Sequence, residues 1–142
     1  MPDMIPLDAR TQENIKKLCF EGYQSYDRGE YSAALRTFYQ AWILLPRPQT
    51  DFAEAGWVLA AIGDTYFKAG QYKQSIEALN SALACPRAEN SPFIHLRIGQ
   101  SLYETGDKPE AKEFLAKAVE LGGNDALRNE DYKYKIALHE DY

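Results

Sequence analysis

The chain has 142 residues and a formal net charge of −5, and its basic residues do not cluster. This length is enough for one domain that buries roughly two-thirds of its unfolded surface, and the charge disfavours nucleic-acid binding, which requires a positive footprint. Because no apolar run approaches membrane-spanning length and the N-terminus lacks the apolar stretch of a signal peptide, we expect a cytoplasmic protein that does not associate with membranes.

The first predicted helix lies near the N-terminus, where Asp8 or Thr11 can act as its N-cap. It reaches Arg28 and ends at Gly29, because glycine takes a positive φ without steric cost. A second apolar stripe of helical period follows directly. The pattern therefore predicts a pair of helices joined by a tight turn.

The second predicted pair begins after a connection that contains two prolines, residues 46–51, which we expect to be rigid and non-helical. Its first helix is expected to take Thr50 or Asp51 as N-cap and to run to Ala69. That helix is longer than a standard repeat helix, so we expect it to protrude or tilt.

The third predicted pair has Asp107 and Glu110 placed as a capping-box variant at the start of its second helix. Gly123 follows that helix and is typical of a helix C-terminus. Apolar residues spaced by four over 132–138 predict a short final helix. Such a helix covers the apolar side of the last unit, as a stacked array requires.

Three glycine pairs with the same internal spacing organise the chain: Gly22/Gly29, Gly63/Gly70 and Gly99/Gly106. The first glycine of each pair lies in mid-helix, where it costs roughly 1 kcal/mol against alanine, so we expect a partner helix to approach closely there. Residues of matching size recur in the second helices, at Ala34/Ser75/Ala111, Phe38/Leu79/Leu115 and Ala41/Ala82/Ala118. The recurrence predicts stacked repeats with an extended binding surface.

With these residues the chain resembles the tetratricopeptide repeat family, whose helix–turn–helix unit carries small and aromatic residues at set offsets. The match runs through Gly22, Tyr26, Gly29, Tyr31, Ala34, Phe38, Ala41 and Pro46, then Gly63, Tyr66, Gly70, Tyr72, Leu79 and Ala82, then Gly99, Gly106, Ala111, Leu115 and Ala118. The glycines step by 41 and 36 residues, whereas the family repeat has about 34. Lys108 stands where tyrosine is usual.

The resemblance implies an all-α fold, a right-handed superhelix of three helix pairs with a C-terminal capping helix. We expect a single domain, 1–142, with repeats at about 15–48, 56–89 and 92–125 and a capping segment at 126–142. The likeness covers about residues 15–123 and specifies the fold much more closely than the function.

No pattern in the sequence points to catalysis. The two cysteines, Cys19 and Cys85, are too few for a metal site, and we expect reduced, partly buried thiols. His95 aligns with a packing position, and His139 lies near the C-terminus. No spacing specifies a catalytic triad or a phosphate-binding loop, so we expect no enzyme activity, no cofactor and no metal.

In the family, the first helix of each repeat lines a concave groove, and its lining positions can be mapped here. They hold Lys16, Phe20, Tyr23 and Asp27, then Trp57, Ala61, Asp64 and Lys68, then Phe93, Arg97, Gln100 and Glu104. From this face we predict the partner-binding residues Tyr23, Trp57, Asp64, Lys68, Phe93, Arg97 and Gln100.

Among these, we expect Tyr23, Trp57, Phe93 and Arg97 to be either anchors or packing residues, with equal weight. Asp64 and Lys68 are placed at the rim, where exposed charges contribute little. For Tyr26, Phe67 and Tyr103, packing between helices is favoured.

The resemblance implies a non-catalytic module that binds a protein or peptide partner in its groove. A clamp for a chaperone's C-terminal carboxylate is disfavoured, because only Arg97 fits the positions that such a clamp needs. A bacterial immunity protein that neutralises a toxin, a chaperone for a secreted protein and a self-assembling repeat array stay open as alternatives. The oligomeric state is also open.

Overall fold

A computed structural model describes residues 6–141, and its regular elements in that range are all helical. The α-helices are α1 (Ala9–Asp27), α2 (Tyr31–Ile43), α3 (Ala53–Lys68), α4 (Tyr72–Leu83), α5 (Pro92–Glu104), α6 (Lys108–Gly122) and α7 (Tyr132–Leu138). Short 3-10 turns precede three of them, at Gln49–Asp51, Ala88–Asn90 and Asn124–Leu127. Within the described range no helix combines the length and apolar character needed to cross a membrane.

The helices stack as three pairs, α1–α2, α3–α4 and α5–α6, and helices pack most extensively within each pair. Successive pairs meet through α2 against α3 and α4 against α5, while α1, α3 and α5 also contact one another in sequence. The final helix, α7, packs on α6. The prediction of an all-α array of helix pairs with a C-terminal capping helix is confirmed.

The N-cap predictions hold for α1 and, at Asp107, for α6, but not for α3. Asp8 caps α1, and its carboxylate accepts the Thr11 N–H at 3.1 Å. The predicted start of α3 at Thr50 or Asp51 is wrong, because these residues form a 3-10 turn and α3 begins at Ala53. The side chain of Glu54 in the first turn is buried and accepts a 2.7 Å bond from Gln12 on α1, so this end does not protrude.

The turn within each pair has the same backbone geometry. Its glycines have positive φ, +76° at Gly29, +77° at Gly70 and +96° at Gly106. After each glycine, the next backbone N–H donates back to a carbonyl in the last helical turn, as from Gln71 to Tyr66 at 2.8 Å. This is the Schellman arrangement, which satisfies carbonyls at the helix end and turns the chain into the next helix.

The mid-helix glycines lie where two helices of a pair touch. A Cβ at Gly63 would lie 2.5 Å from Cγ of Leu79, and one at Gly99 would lie 2.9 Å from Cγ of Leu115. Gly22 faces Phe38 in the same way. Phe38, Leu79 and Leu115 are fully buried, so each glycine makes room for a large, buried apolar side chain of the second helix of its pair.

We expect Gly63→Ala to lower the free energy of unfolding by about 1–3 kcal/mol, because the added methyl group overpacks against a buried leucine. The loss should appear even though alanine is the better helix former by roughly 1 kcal/mol. Urea unfolding followed by circular dichroism measures it.

Gly56→Ala is the matched control, since its Cβ would meet the nearest neighbour, Cys85, at 3.3 Å. Its stability should change much less. Equal losses for the two variants would contradict the assigned close approach.

Candidate functional site

The first helices of the three pairs, α1, α3 and α5, lie side by side and form what we call the inner face; α2, α4 and α6 form the outer face. The residues mapped to the groove from the sequence lie on these first helices. They separate into two groups in the structure: a buried polar cluster and a set of exposed aromatic and basic side chains.

The buried cluster is centred on Arg97 of α5. Its Nε donates to Oδ1 of Asp64 at 2.9 Å, and its Nη1 donates to Oε1 of Glu130 at 2.8 Å and to Oε1 of Gln100 at 2.7 Å. Gln100 also donates to Glu130 at 2.6 Å. Arg97 and Asp64 are only 5% and 3% exposed, so this is an ion pair largely removed from water.

Helix α1 joins the cluster through two phenols. The hydroxyl of Tyr26 donates to Oδ1 of Asp64 at 2.9 Å, and that of Tyr23 donates to Oδ2 at 3.3 Å. Burial, and then the negative charge of Asp64, raises the pKa of both tyrosines well above the ordinary value. Both phenols therefore stay protonated and act as donors.

Aromatic rings enclose the guanidinium of Arg97. Its Cζ lies 4.7 Å from the ring centre of Phe67 and 5.1 Å from that of Phe93, distances typical of cation–π contacts. Burial alone lowers the pKa of Arg97, but the charges of Asp64 and Glu130 outweigh it and raise the pKa. In the described part of the chain, no buried side-chain nitrogen or oxygen lacks a hydrogen-bond partner.

The C-terminal segment supplies Glu130 and thereby covers one end of the inner face. Leu127 and Tyr134 on either side of it are buried, and the Tyr134 hydroxyl donates to Glu104 of α5 at 2.6 Å. Sequence analysis missed Glu130, because it is one of several neighbouring polar residues between helices and matches no repeat position. We call the set Tyr23, Tyr26, Asp64, Arg97, Gln100 and Glu130 the Arg97 cluster.

The structure thus brings four of the predicted site residues together: Asp64, Arg97 and Gln100 are buried, and Tyr23 is half-buried beside them. Gln100 is fully buried, and the placement of Asp64 at the rim is wrong, since its carboxylate is enclosed by α1 and α5. These groups hold helices to one another and have little surface to offer a partner.

The other predicted site residues remain accessible. Trp57 is 46% exposed and Lys68 is also exposed, while Phe93 is half-buried over Arg97. Next to Trp57, Nζ of Lys16 lies 5.8 Å from its ring centre. Phe20, on the same face of α1, is 67% exposed. The accessible part of the inner face therefore lies mainly on α1 and α3.

The two cysteines and His95 lie outside the cluster and pack between helices. Cys19 is half-buried and Cys85 buried, both are free thiols, and burial raises the pKa of each to about 11. Nδ1 of His95 lies 2.8 Å from the Ser91 carbonyl oxygen, and the ring is buried, as expected for a packing residue. Among residues 6–141, no group of His, Cys, Asp and Glu is placed to hold a metal ion.

Two segments of the chain, residues 58–84 and 95–121, match family models described as tetratricopeptide repeat. These segments coincide with the α3–α4 and α5–α6 pairs. The chain therefore contains tetratricopeptide repeats. No curated protein sequence matches it.

Solved tetratricopeptide repeat structures resemble it over nearly its whole length. The Sgt2 domain from Aspergillus fumigatus is 24% identical, over 99% of this chain and 86% of that chain, with a TM-score of 0.72. The second tetratricopeptide repeat domain of human RPAP3, in complex with the HSP70 peptide SGPTIEEVD, is 17% identical. The match covers 88% of this chain and 98% of that chain, with a TM-score of 0.71.

A third similar structure is the Yersinia enterocolitica type III secretion chaperone SycD in complex with a peptide of the translocator YopD. It is 18% identical over 92% of this chain and 94% of that chain, with a TM-score of 0.71. At such identities the likeness establishes a shared fold. For this tetratricopeptide repeat protein, function has to be argued from its own residues.

Replacing Arg97 with methionine should lower the free energy of unfolding by about 3–5 kcal/mol, because it leaves the carboxylate of Asp64 buried without its partner. Urea unfolding measures the loss. Lys68→Met, at an exposed site on α3, is the control and should change stability by less than about 0.5 kcal/mol.

The double variant Asp64→Asn/Arg97→Met tests the cause of that loss. It removes the uncompensated charge and should be more stable than Arg97→Met alone. If Arg97→Met were as stable as Lys68→Met, the cluster would not hold the helices as described.

Both thiols should react slowly in the folded protein. With a pKa of about 11, roughly one thiol in a thousand is a thiolate at pH 8, and only the thiolate reacts with a disulfide reagent such as DTNB. We expect labelling on the order of 100-fold slower than in urea, where ordinary pKa values return. Immediate labelling of both cysteines in buffer would contradict their placement.

Proposed function

We propose that this protein is a non-catalytic interaction module that binds a segment of a partner protein on the accessible part of its inner face. The observation that carries the proposal is the exposure of two large aromatic side chains there, Phe20 at 67% and Trp57 at 46%. Exposed large aromatics on one face are typical of contact surfaces, where such residues contribute most of the binding energy.

Burial separates the inner-face residues into those that can contact a partner and those that hold the helices in place. Phe20, Trp57, Phe93 and Lys68 are proposed to contact the partner. Tyr23, Asp64, Arg97 and Gln100 act indirectly in this proposal, by fixing how α1, α3 and α5 lie beside one another. Because Arg97 already pairs with two carboxylates, the proposed partner does not depend on its charge.

The solved relatives support a peptide-like partner. One RPAP3 domain holds an HSP70 peptide and SycD holds a translocator peptide, so arrays of this size accommodate extended segments. Two free cysteines suit a reducing compartment such as the cytoplasm.

A chaperone for a secreted protein is the second candidate. SycD and this chain correspond over 94% and 92% of their lengths, and SycD is a secretion chaperone that holds a peptide of its translocator. In that case the partner should stay soluble only when co-expressed with this protein.

The proposal can be tested with a pair of double variants that each remove two large exposed side chains from one of the two faces. On the inner face, Phe20→Ala/Trp57→Ala removes both exposed aromatics; on the outer face, Tyr39→Ala/Ile43→Ala removes side chains that are 42% and 75% exposed. Each protein is used as bait in its source cell, and the captured partner is then titrated by calorimetry.

We expect the inner-face variant to remain folded and to lose at least about 30-fold in affinity, corresponding to about 2 kcal/mol for a true anchor. The outer-face variant should bind like the wild type. The proposal fails if the outer-face variant loses its partner and the inner-face variant keeps it.

A further inference from the structure

A groove with a volume of about 340 Å³ lies at the edge of the inner face, between the start of α3 and the connection from α4 to α5. Its walls include Gly56, Ala60, Pro86, Ala88 and Ile94, and Trp57 forms one side. This volume is at the lower end of the range for small-ligand pockets, roughly 300–1,000 Å³. The groove therefore suits individual side chains of an extended segment, and an entire helix is too wide for it.

The charges at this groove are positive. Arg87 is the charged residue of its lining, and it is exposed. Lys16 of α1 is not part of the lining, but its Nζ lies 5.8 Å from the ring centre of Trp57, which is. No carboxylate lines the groove among the described residues, and Glu54 in the first turn of α3 is buried and bonded to Gln12 of α1.

The backbone at Arg87 is unusual. Its φ is +67°, and it is the non-glycine residue of the described chain that adopts the left-handed conformation. An arginine held there costs on the order of 1 kcal/mol relative to glycine. Strain of this kind recurs at binding sites. Here the strained residue is Arg87, whose guanidinium is the cation in the lining of an otherwise apolar groove.

We infer that the groove receives an aliphatic side chain of an acidic partner segment, whose carboxylates lie against Arg87 and Lys16. The inference rests on the proposed function and specifies the chemistry of the partner at that surface. The chain as a whole carries a net charge of −5, so its overall charge does not favour an acidic segment. Positive side chains beside apolar walls therefore favour binding at this groove and favour a partner segment with negative charge.

Three synthetic peptides test the inference: a central Leu-Leu flanked by aspartates, by serines or by lysines, each with the same fluorescent label. Binding is measured by anisotropy at two salt concentrations. The aspartate peptide should bind at least about tenfold more tightly than the lysine peptide, and added salt should weaken it, since exposed charges are screened.

Two variants locate the effect. Arg87→Glu should weaken the aspartate peptide about tenfold or more and favour the lysine peptide, whereas Arg36→Glu, an equal charge change on α2, should leave both unchanged. Arg87→Asn removes the charge with a residue that tolerates positive φ, and it should weaken the aspartate peptide as well. Because Arg87→Asn should leave the turn folded, a weaker affinity of this variant is due to the lost charge and not to misfolding of the turn.

The inference is overturned if no peptide binds, if charge makes no difference, or if Arg36→Glu acts like Arg87→Glu. These results leave the proposed function standing, provided that Phe20→Ala/Trp57→Ala still loses its cellular partner. If that double variant keeps the partner, the proposed function itself fails, whatever the peptides do.

Discussion

The pairing of Arg97 with Asp64 is the constraint on which the inner face depends. One guanidinium on α5 meets a carboxylate on α3 at 2.9 Å, and that carboxylate also accepts the hydroxyls of Tyr23 and Tyr26 from α1. Removing two charges from water is costly, so a pair of this kind adds little net stability. Its consequence is geometric, because every donor and acceptor is satisfied in one relative placement of the three helices.

The same pairing decides which side chains remain at the surface. The polar residues Asp64, Arg97 and Gln100 are directed inward and are not presented to a ligand, and Glu130 completes their hydrogen bonds from the C-terminal side. The accessible inner face is left with aromatic side chains and a few cations. A surface of this composition favours contact through apolar anchors, with charge contributing mainly to selectivity.

Features encoded within one repeat could be predicted from the sequence. Gly63 opposite Leu79 and the positive φ of Gly70 each follow from a local rule, and the family match recurs in phase along the chain. The start of α3 could not be placed as well, because a 3-10 turn and an N-cap use the same residue types at Thr50 and Asp51.

The candidate site was harder to predict, since its polar contacts join different repeats. Whether Asp64 faces water or Arg97 depends on the lateral placement of α3 and α5, which no spacing in the sequence encodes. The role of Glu130 is even harder to predict, because it depends on where the loop before α7 crosses the inner face. Lys68 was predicted at the rim and is exposed, whereas the sequence left Trp57 equally open as an anchor or a packing residue, and its side chain is 46% exposed.

The Arg97 cluster also bears on how such an array can evolve. Tandem repeats commonly gain or lose units by duplication and deletion, because each unit contacts only its neighbours. Here the donors and acceptors of one network are distributed over α1, α3, α5 and the segment after α6. An additional unit between α4 and α5 would separate Asp64 from Arg97 and leave both charges buried and unmatched. A side-chain network thus opposes insertion of a unit between these repeats, although the backbone of a repeat array would allow it.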